Sequence, residues 1–290
     1  EYSTIQGAID SDSTIPGDTI LVFPYDYNES IRITKSGLTI QSTSGRSVTI
    51  IKGDGLRYWE NDLNKTYTIL VPDGVNDCTI DGFTITGSHY GVICDGTYEG
   101  NANLNIKNNI ISNTEFSYDV TEPGQNPRQE PTIGIYSYYS NPTISDCVFT
   151  GNGVAIRDDW GGPVIKNSII IGNGCGVDLS LCESLPQIMN NVISGNTSFG
   201  IGCFGTPVTI ANNTIVENEV GIYCGDESFP TITNNIIVGG NYGIYLDIVP
   251  IEPATPDISY NDVWGNITNY YECSAGFMDI SSDPRFARYL

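Results

Sequence analysis

The 290-residue chain contains a single histidine, His89, which excludes any chemistry that needs two imidazoles. Cations are scarce as well. Twelve Lys and Arg stand against 34 Asp and Glu, giving a formal net charge of −22. So few bases cannot build a phosphate-neutralising stripe, which excludes nucleic acid as a partner. An acidic polymer would need a divalent cation to bridge it to the protein, and the surplus charge by itself serves solubility. No apolar run reaches 18 residues, so the sequence offers no transmembrane helix. The sequence opens at Glu1 with neither Met nor a charged-then-apolar stretch, and the expectation is a mature form or an excised domain. The eight cysteines would suit an oxidising compartment. Their spacing resembles neither a disulfide framework nor a zinc site, and no metal ligand set is expected.

What the chain has in quantity is Gly, Asn, Ile and Val, residues of turns and strands. Proline opens successive units at Pro142, Pro163, Pro186, Pro207, Pro230 and Pro256, spaced by 21 to 26 residues. One phrase recurs in each, as in PTISDCVFTGNGVAI, PVTIANNTIVENEVGI and PTITNNIIVGGNYGI. Every phrase holds three runs of three to five residues, too short for helices. A first aliphatic column runs from Ile106 through Ile144, Ile165, Ile188, Ile210 and Ile232 to Ile258. A second includes Ile111, Phe149, Ile170, Ile193, Ile215, Ile237 and Val263. A third is Val92, Ile135, Val154, Val177, Ile201, Ile222 and Ile244. Such a repeat buries each unit against its neighbours. The expected fold is therefore all-β: a single-stranded right-handed parallel β-helix, a solenoid forming one domain over residues 1–290.

Between the first two runs, Asn109, Cys147, Ser168, Asn191, Asn213, Asn235 and Asn261 form a polar column. It is expected both to supply left-handed corner residues and to pair amides up the stack. Ser3 to Gln6 has the spacing of a capping box, so residues 3–11 should be a short N-terminal capping helix. Residues 257–290 should form the last coil and the C-terminal cap, with DPRFARYL crossing the end. Polar insertions at 57–67, 115–131 and 247–256 break the period, and loops on a rigid scaffold often carry function. Asn28, Asn64, Asn196, Asn212 and Asn266 each open an Asn-x-Ser/Thr sequon.

The phrases YSTIQGAID…PGDTILVFP…YNESI and NNII…GN…GIY resemble the right-handed parallel β-helix proteins of the pectate-lyase-like superfamily, along nearly the whole chain. The ending ISYNDVWGN…DPRF is similar to repeats of archaeal disaggregatase-related surface proteins. The resemblance implies the fold and an extracellular or cell-surface polysaccharide partner. It does not imply one activity, because such repeats occur in lyases, hydrolases, epimerases and surface proteins. Of the polygalacturonase-type signatures only a DD, Asp158-Asp159, is present.

Alternation in the third run sends Tyr136, Tyr138, Arg157, Asp178, Phe204, Tyr223, Tyr245 and Asp247 outward, with Asp158, Asp159 and Trp160 placed just past the strand end. Exposed aromatics at coil spacing stack on sugars, while carboxylates and Arg bind hydroxyls. Tyr136, Tyr138, Trp160, Phe204, Tyr223, Tyr245 and Asp247 are thus the expected substrate contacts. Arg157, Asp158, Asp159 and Asp178 are the catalytic candidates, since crowded carboxylates acquire the split proton affinities that glycoside hydrolysis needs. Elimination, with Ca²⁺ holding a uronate against an acid pair, ranks second because no Lys falls on this face. The rival class is a non-catalytic adhesion or spacer module. His89, just before the Gly91-Val92-Ile93 strand, either borders this face or, as a lone histidine in a turn, sits on the surface, which is the first reading. Cys94, Cys203 and Cys224 read as small core residues beside Ile156, Leu179 and Leu246.

Overall fold

A computed structural model describes residues 1–57, 65–112, 117–119, 128–248 and 254–286. Ten coils wind as a right-handed solenoid. Three ten-stranded sheets, each pairing a strand with its counterpart one coil away, run the length of the molecule. Among the described residues the strands of these sheets pair in parallel throughout. The first two aliphatic columns stack as expected, Ile165 on Ile144 and Ile188, and Ile170 on Phe149 and Ile193. All of these are fully buried. Stacking β-branched side chains in line gives each coil the same small cross-section, and burial of this continuous core is the main stabilising term.

The third column differs from its sequence reading at one coil. Ile135 and Val177 pair with Ile156, not with Val154. Val154 lies instead on the outer face, beside Ile133 and Cys175. Val154-Ala155-Ile156 is apolar throughout, so pattern alone does not fix the register here, and the alternation breaks across these residues, with Ala155 and Ile156 both in the inner core. The consequence is large. Asp158 moves into the inward column of Ser137, Leu179, Cys203 and Cys224.

The polar corner also divides its two tasks between two columns. The left-handed residues are the preceding ones, among them Asn108, Asn167, Asn190, Asn212 and Asn234, with φ between 52° and 59°. The following residues turn inward and form the hydrogen-bond ladder. Asn191 donates its backbone N–H and its amide to Asn213 Oδ1, each at 3.0 Å, and Asn213 does the same to Asn235 at 2.9 and 3.0 Å. A second ladder, Asn152 to Asn173 to Asn196 to Asn218, runs along the next corner. Asn196 is therefore a buried rung, whereas the sequon residues Asn28 and Asn212 are exposed.

The helix spans Ile5–Asp10 and buries Ile5, Ala8 and Ile9 over the first coil. Its N-cap is Thr4 rather than Ser3: the Thr4 hydroxyl accepts from Gly7 N–H, and Glu29 of the first coil accepts from the Ile5 and Gln6 N–H groups. A carboxylate from elsewhere in the fold thus replaces the glutamine of the box. At the other end residues 276–280 start a further coil, bridging Ser259 through Phe277 and Asp262 through Ile280. Asp279 takes the next rung, accepting from Asn261 at 2.7 and 3.1 Å. Residues 283–286 add no regular structure, and 287–290 lie outside the described residues.

Candidate functional site

The outer face of the third sheet carries three outward columns. The middle one reads Leu70, Ile93, Tyr136, Arg157, Asp178, Gly202, Tyr223, Tyr245 and Tyr271 in successive coils. Beside it run Asp95, Tyr138, Asp159, Ser180 and Phe204. Arg157 sits where these columns meet. Its Nε lies 3.2 Å from Asp159 Oδ2 and its Nη1 3.9 Å from Asp178 Oδ2. The Tyr136 hydroxyl donates to Asp159 Oδ2 at 3.2 Å. Burial, reinforced by the Asp159 charge, pushes the Tyr136 phenol well above its ordinary range. Burial also raises the Asp178 carboxyl, against the pull of Arg157.

Tyr136, Arg157 and Asp159 border a cleft of about 300 Å³, lined also by Lys65, His89 and Tyr90 among others. One of them corrects the sequence reading and another decides between its two alternatives. A lysine does stand at this face, because Lys65 arrives from the end of the 57–67 insertion, beyond the reach of any strand periodicity. His89 is 2% exposed, its ring 4.6 Å from Tyr90 in an edge-to-face pair, so it is a cleft wall and not a surface turn residue. Pro131, closing the 115–131 insertion, lines the same cleft. That insertion pairs Ser117–Asp119 antiparallel to Arg128–Glu130. Its remainder, with 58–64 of the first insertion and 249–253 of the third, lies outside the described residues.

Asp158 does not face the cleft. It is fully buried inside the coil; Oδ2 accepts from Gly161 N–H at 3.1 Å and the Cys182 thiol at 3.2 Å, while Oδ1 has no hydrogen-bond partner. Burial pushes its carboxyl from 3.8 up to about 7, against the pull of those donors. An acid whose folded value is raised disfavours the folded state once it ionises. Its contribution to stability therefore falls as pH rises from about 4 to about 7 and is flat above. Asp158→Asn is expected to flatten the unfolding free energy over that window. At pH 8 it should add stability with an upper limit of roughly 4 kcal/mol, the equivalent of that displacement. Urea unfolding at pH 5 and pH 8 checks this, and an unchanged slope between the two would overturn it.

The aromatic residues divide into two groups. Tyr223, Tyr245 and Tyr271 stack face to face up the column, with ring centroids 5.3 and 4.5 Å apart and planes within 13°. Their faces are therefore covered by one another, and edges meet solvent. Tyr223 also donates a short hydrogen bond to Asp247. Gly202 interrupts this column below Tyr223, and the Phe199 ring lies over it, so close that a Cβ on residue 202 would approach the ring to 2.7 Å. Phe204 packs against Tyr223 at 5.3 Å. The other group surrounds the cleft: Tyr136 faces Tyr138, and Trp160 stands at the adjoining corner with φ 67°.

Among the described residues no group of three or more His, Cys, Asp or Glu converges to hold a metal. Asp159 and Asp178 are directed at Arg157 instead, and this donor set does not fit a Ca²⁺ ion. All eight cysteines are thiols, and Cys94, Cys203 and Cys224 are buried. Among the described residues no helix is long and apolar enough to cross a membrane.

The sequence matches the family described as the right handed beta helix region over residues 27–228 and 164–282. The chain belongs to that family. A cell surface glycoprotein of Methanothermus fervidus is 26% identical over 251 residues, which cover 77% of this chain and 38% of that protein. The chain thus spans well under half the length of this relative. An alginate lyase from Paenibacillus superposes with a TM-score of 0.52 at 13% identity, covering 95% of this chain and 94% of the other. The A-module of a mannuronan C-5 epimerase from Azotobacter vinelandii gives 0.50 at 14% identity, covering 97% and 95%. At these identities the likeness to the solved structures is one of fold.

Proposed function

We propose that this β-helix is an extracellular or cell-surface, carbohydrate-active protein that binds an acidic polysaccharide at the Arg157 cleft and cleaves it by β-elimination. The observation that carries the reading is the grouping of Lys65, His89, Tyr136, Arg157 and Asp159 around one cleft. Elimination needs a cation beside the uronate carboxylate, a base for the adjacent C–H, and an acid for the departing glycosidic oxygen. Lys65 and Arg157 are the cations, and at the cleft they take the place of the bridging divalent ion that the overall charge of the chain calls for. His89 is the side chain whose ordinary range spans neutral pH, which suits a base. Tyr136 holds its proton tightly beside Asp159 and would deliver it to the leaving oxygen. As the base takes the C5 proton, the C4–O bond breaks and a C4=C5 double bond forms.

Hydrolysis is less well supported. Asp159 and Asp178 both sit against Arg157, and the carboxyl that holds a proton near neutrality, Asp158, is buried. A non-catalytic spacer draws support from one observation, the mutual stacking of Tyr223, Tyr245 and Tyr271. A panel of alginate, pectate and neutral glycans, assayed for unsaturated-uronate absorbance and for reducing ends, separates these readings. Absorbance rising together with reducing ends is the expected result. Reducing ends alone would mean hydrolysis, and neither signal with any glycan would sink the catalytic reading.

A further inference from the structure

We propose that the saccharide chain crosses the solenoid along the strand direction, from the Arg157 cleft over Tyr136 and Tyr138 onto a corner platform of Tyr139 and Trp160. This rests on the cleft being a saccharide site and adds the path of the ligand and the residues of its outer subsites. Along the solenoid axis the aromatic surface is broken by Gly202, and the rings beyond it cover one another. Along the strand Ile133–Tyr138 it is continuous. Tyr90 lies 5.6 Å from Tyr136, Tyr136 lies 6.4 Å from Tyr138, Tyr138 lies 4.8 Å from Tyr139, and Tyr139 lies 5.7 Å from Trp160. Tyr98, 79% exposed, meets Tyr139 edge-on and extends the patch. From Tyr136 to Tyr139 an extended strand travels roughly 10 Å, more than the width of one pyranose ring.

Backbone conformation supplies a second and independent argument. Tyr139 and Trp160 occupy the same corner in successive coils with φ of 43° and 67°. For bulky side chains this left-handed region costs on the order of 1–2 kcal/mol each. The next coil also holds a bulky residue there, Leu181 with φ 52°, and only the two after it return to Gly205 and Asp226, which adopt the corner readily. Placing rings at strained positions brings no burial of core surface, since both are only half-buried. Strain retained without a packing return marks a surface kept for contact. The flat rings suit the C–H faces of pyranoses, and Asp159 borders the path to receive hydroxyl donors.

The test uses the full chain and galacturonate and alginate oligomers from dimer to octamer, with affinities measured by calorimetry. Trp160→Asn and Tyr139→Asn remove the rings and place at each corner a residue that tolerates it. Both variants are therefore expected to fold and to melt no lower than wild type. They should weaken octamer binding by about tenfold, the loss of one good ring contact, while dimer binding stays unchanged. Tyr245→Ala should leave all lengths unaffected. Octamer binding lost in Tyr245→Ala and kept in Trp160→Asn would overturn the crossing path in favour of an axial one. Equal affinity for dimer and octamer in wild type, or no change in either corner variant, would overturn it as well. Wild-type protein that binds none of the oligomers would defeat the cleft itself as a saccharide site, a failure distinguishable from the others.

Discussion

Arg157→Ala is expected to reduce cleavage of the preferred polysaccharide by a factor of about 10²–10³, the usual loss when one fixed charge donor is removed from a reacting site. Two effects act together. The uronate carboxylate loses its nearest cation on the strand, and Asp159 and Asp178, no longer bridged, repel an acidic chain. The loss should therefore appear in KM as well as kcat. Arg157→Lys should recover only part of it, because an ammonium is a point charge and cannot reach both carboxylates as the planar guanidinium does. The fold should survive either change, since the side chain is outward and its ion pairs are partly exposed. Initial rates from unsaturated-uronate absorbance, with melting curves as a folding control, measure this. Full activity in Arg157→Ala would move the site elsewhere on the molecule.

The largest effect on stability is expected from Asn213→Leu. Leucine has the same branched side-chain shape as asparagine and is the bulkier of the two, so the loss does not come from a cavity. The ladder is what breaks. Asn213 Oδ1 takes the backbone and side-chain N–H of Asn191, and its amide supplies Ile188 O at 2.8 Å and Asn235 Oδ1 at 3.0 Å. The substitution strands the buried Asn191 N–H, which costs about 1–3 kcal/mol, and removes the three further bonds that the Asn213 amide makes. A total on the order of 3–5 kcal/mol follows, read as a lower urea midpoint. Asn212→Ala, one residue earlier and exposed, should cost no more than about 1–2 kcal/mol, the penalty of left-handed backbone for a residue with a Cβ. Equal losses at the two positions would refute the division of labour between corner and ladder.

That division was not visible in the sequence, where Asn-Asn pairs such as Asn190-Asn191 look alike. Both members are polar, and only the direction of each side chain separates them. The coils, the three sheets and two of the three inward columns were legible, because spacing alone defines them. The third column failed at Val154, where three consecutive apolar residues fit either register and the neighbouring coils decide. That single displacement misplaced Asp158. The cleft was half legible. Tyr136, Arg157, Asp159 and Asp178 lie on strands and follow the alternation of their coils. Lys65 and His89 come from an insertion and a turn, where no period constrains position, and they reach the face only through the fold.

The bonds that pass from Asn191 to Asn213 are repeated from Asn213 to Asn235 with almost the same lengths. The coils from Asn191 to Asn261 therefore offer one another interchangeable sockets, and a whole coil added or removed there leaves matching sockets on either side. Overall length becomes a quantity that gene duplication or deletion can adjust in steps, without redesign of any interior position. The coils that build the cleft are held to their individual residues, while those beyond it are free to vary in number.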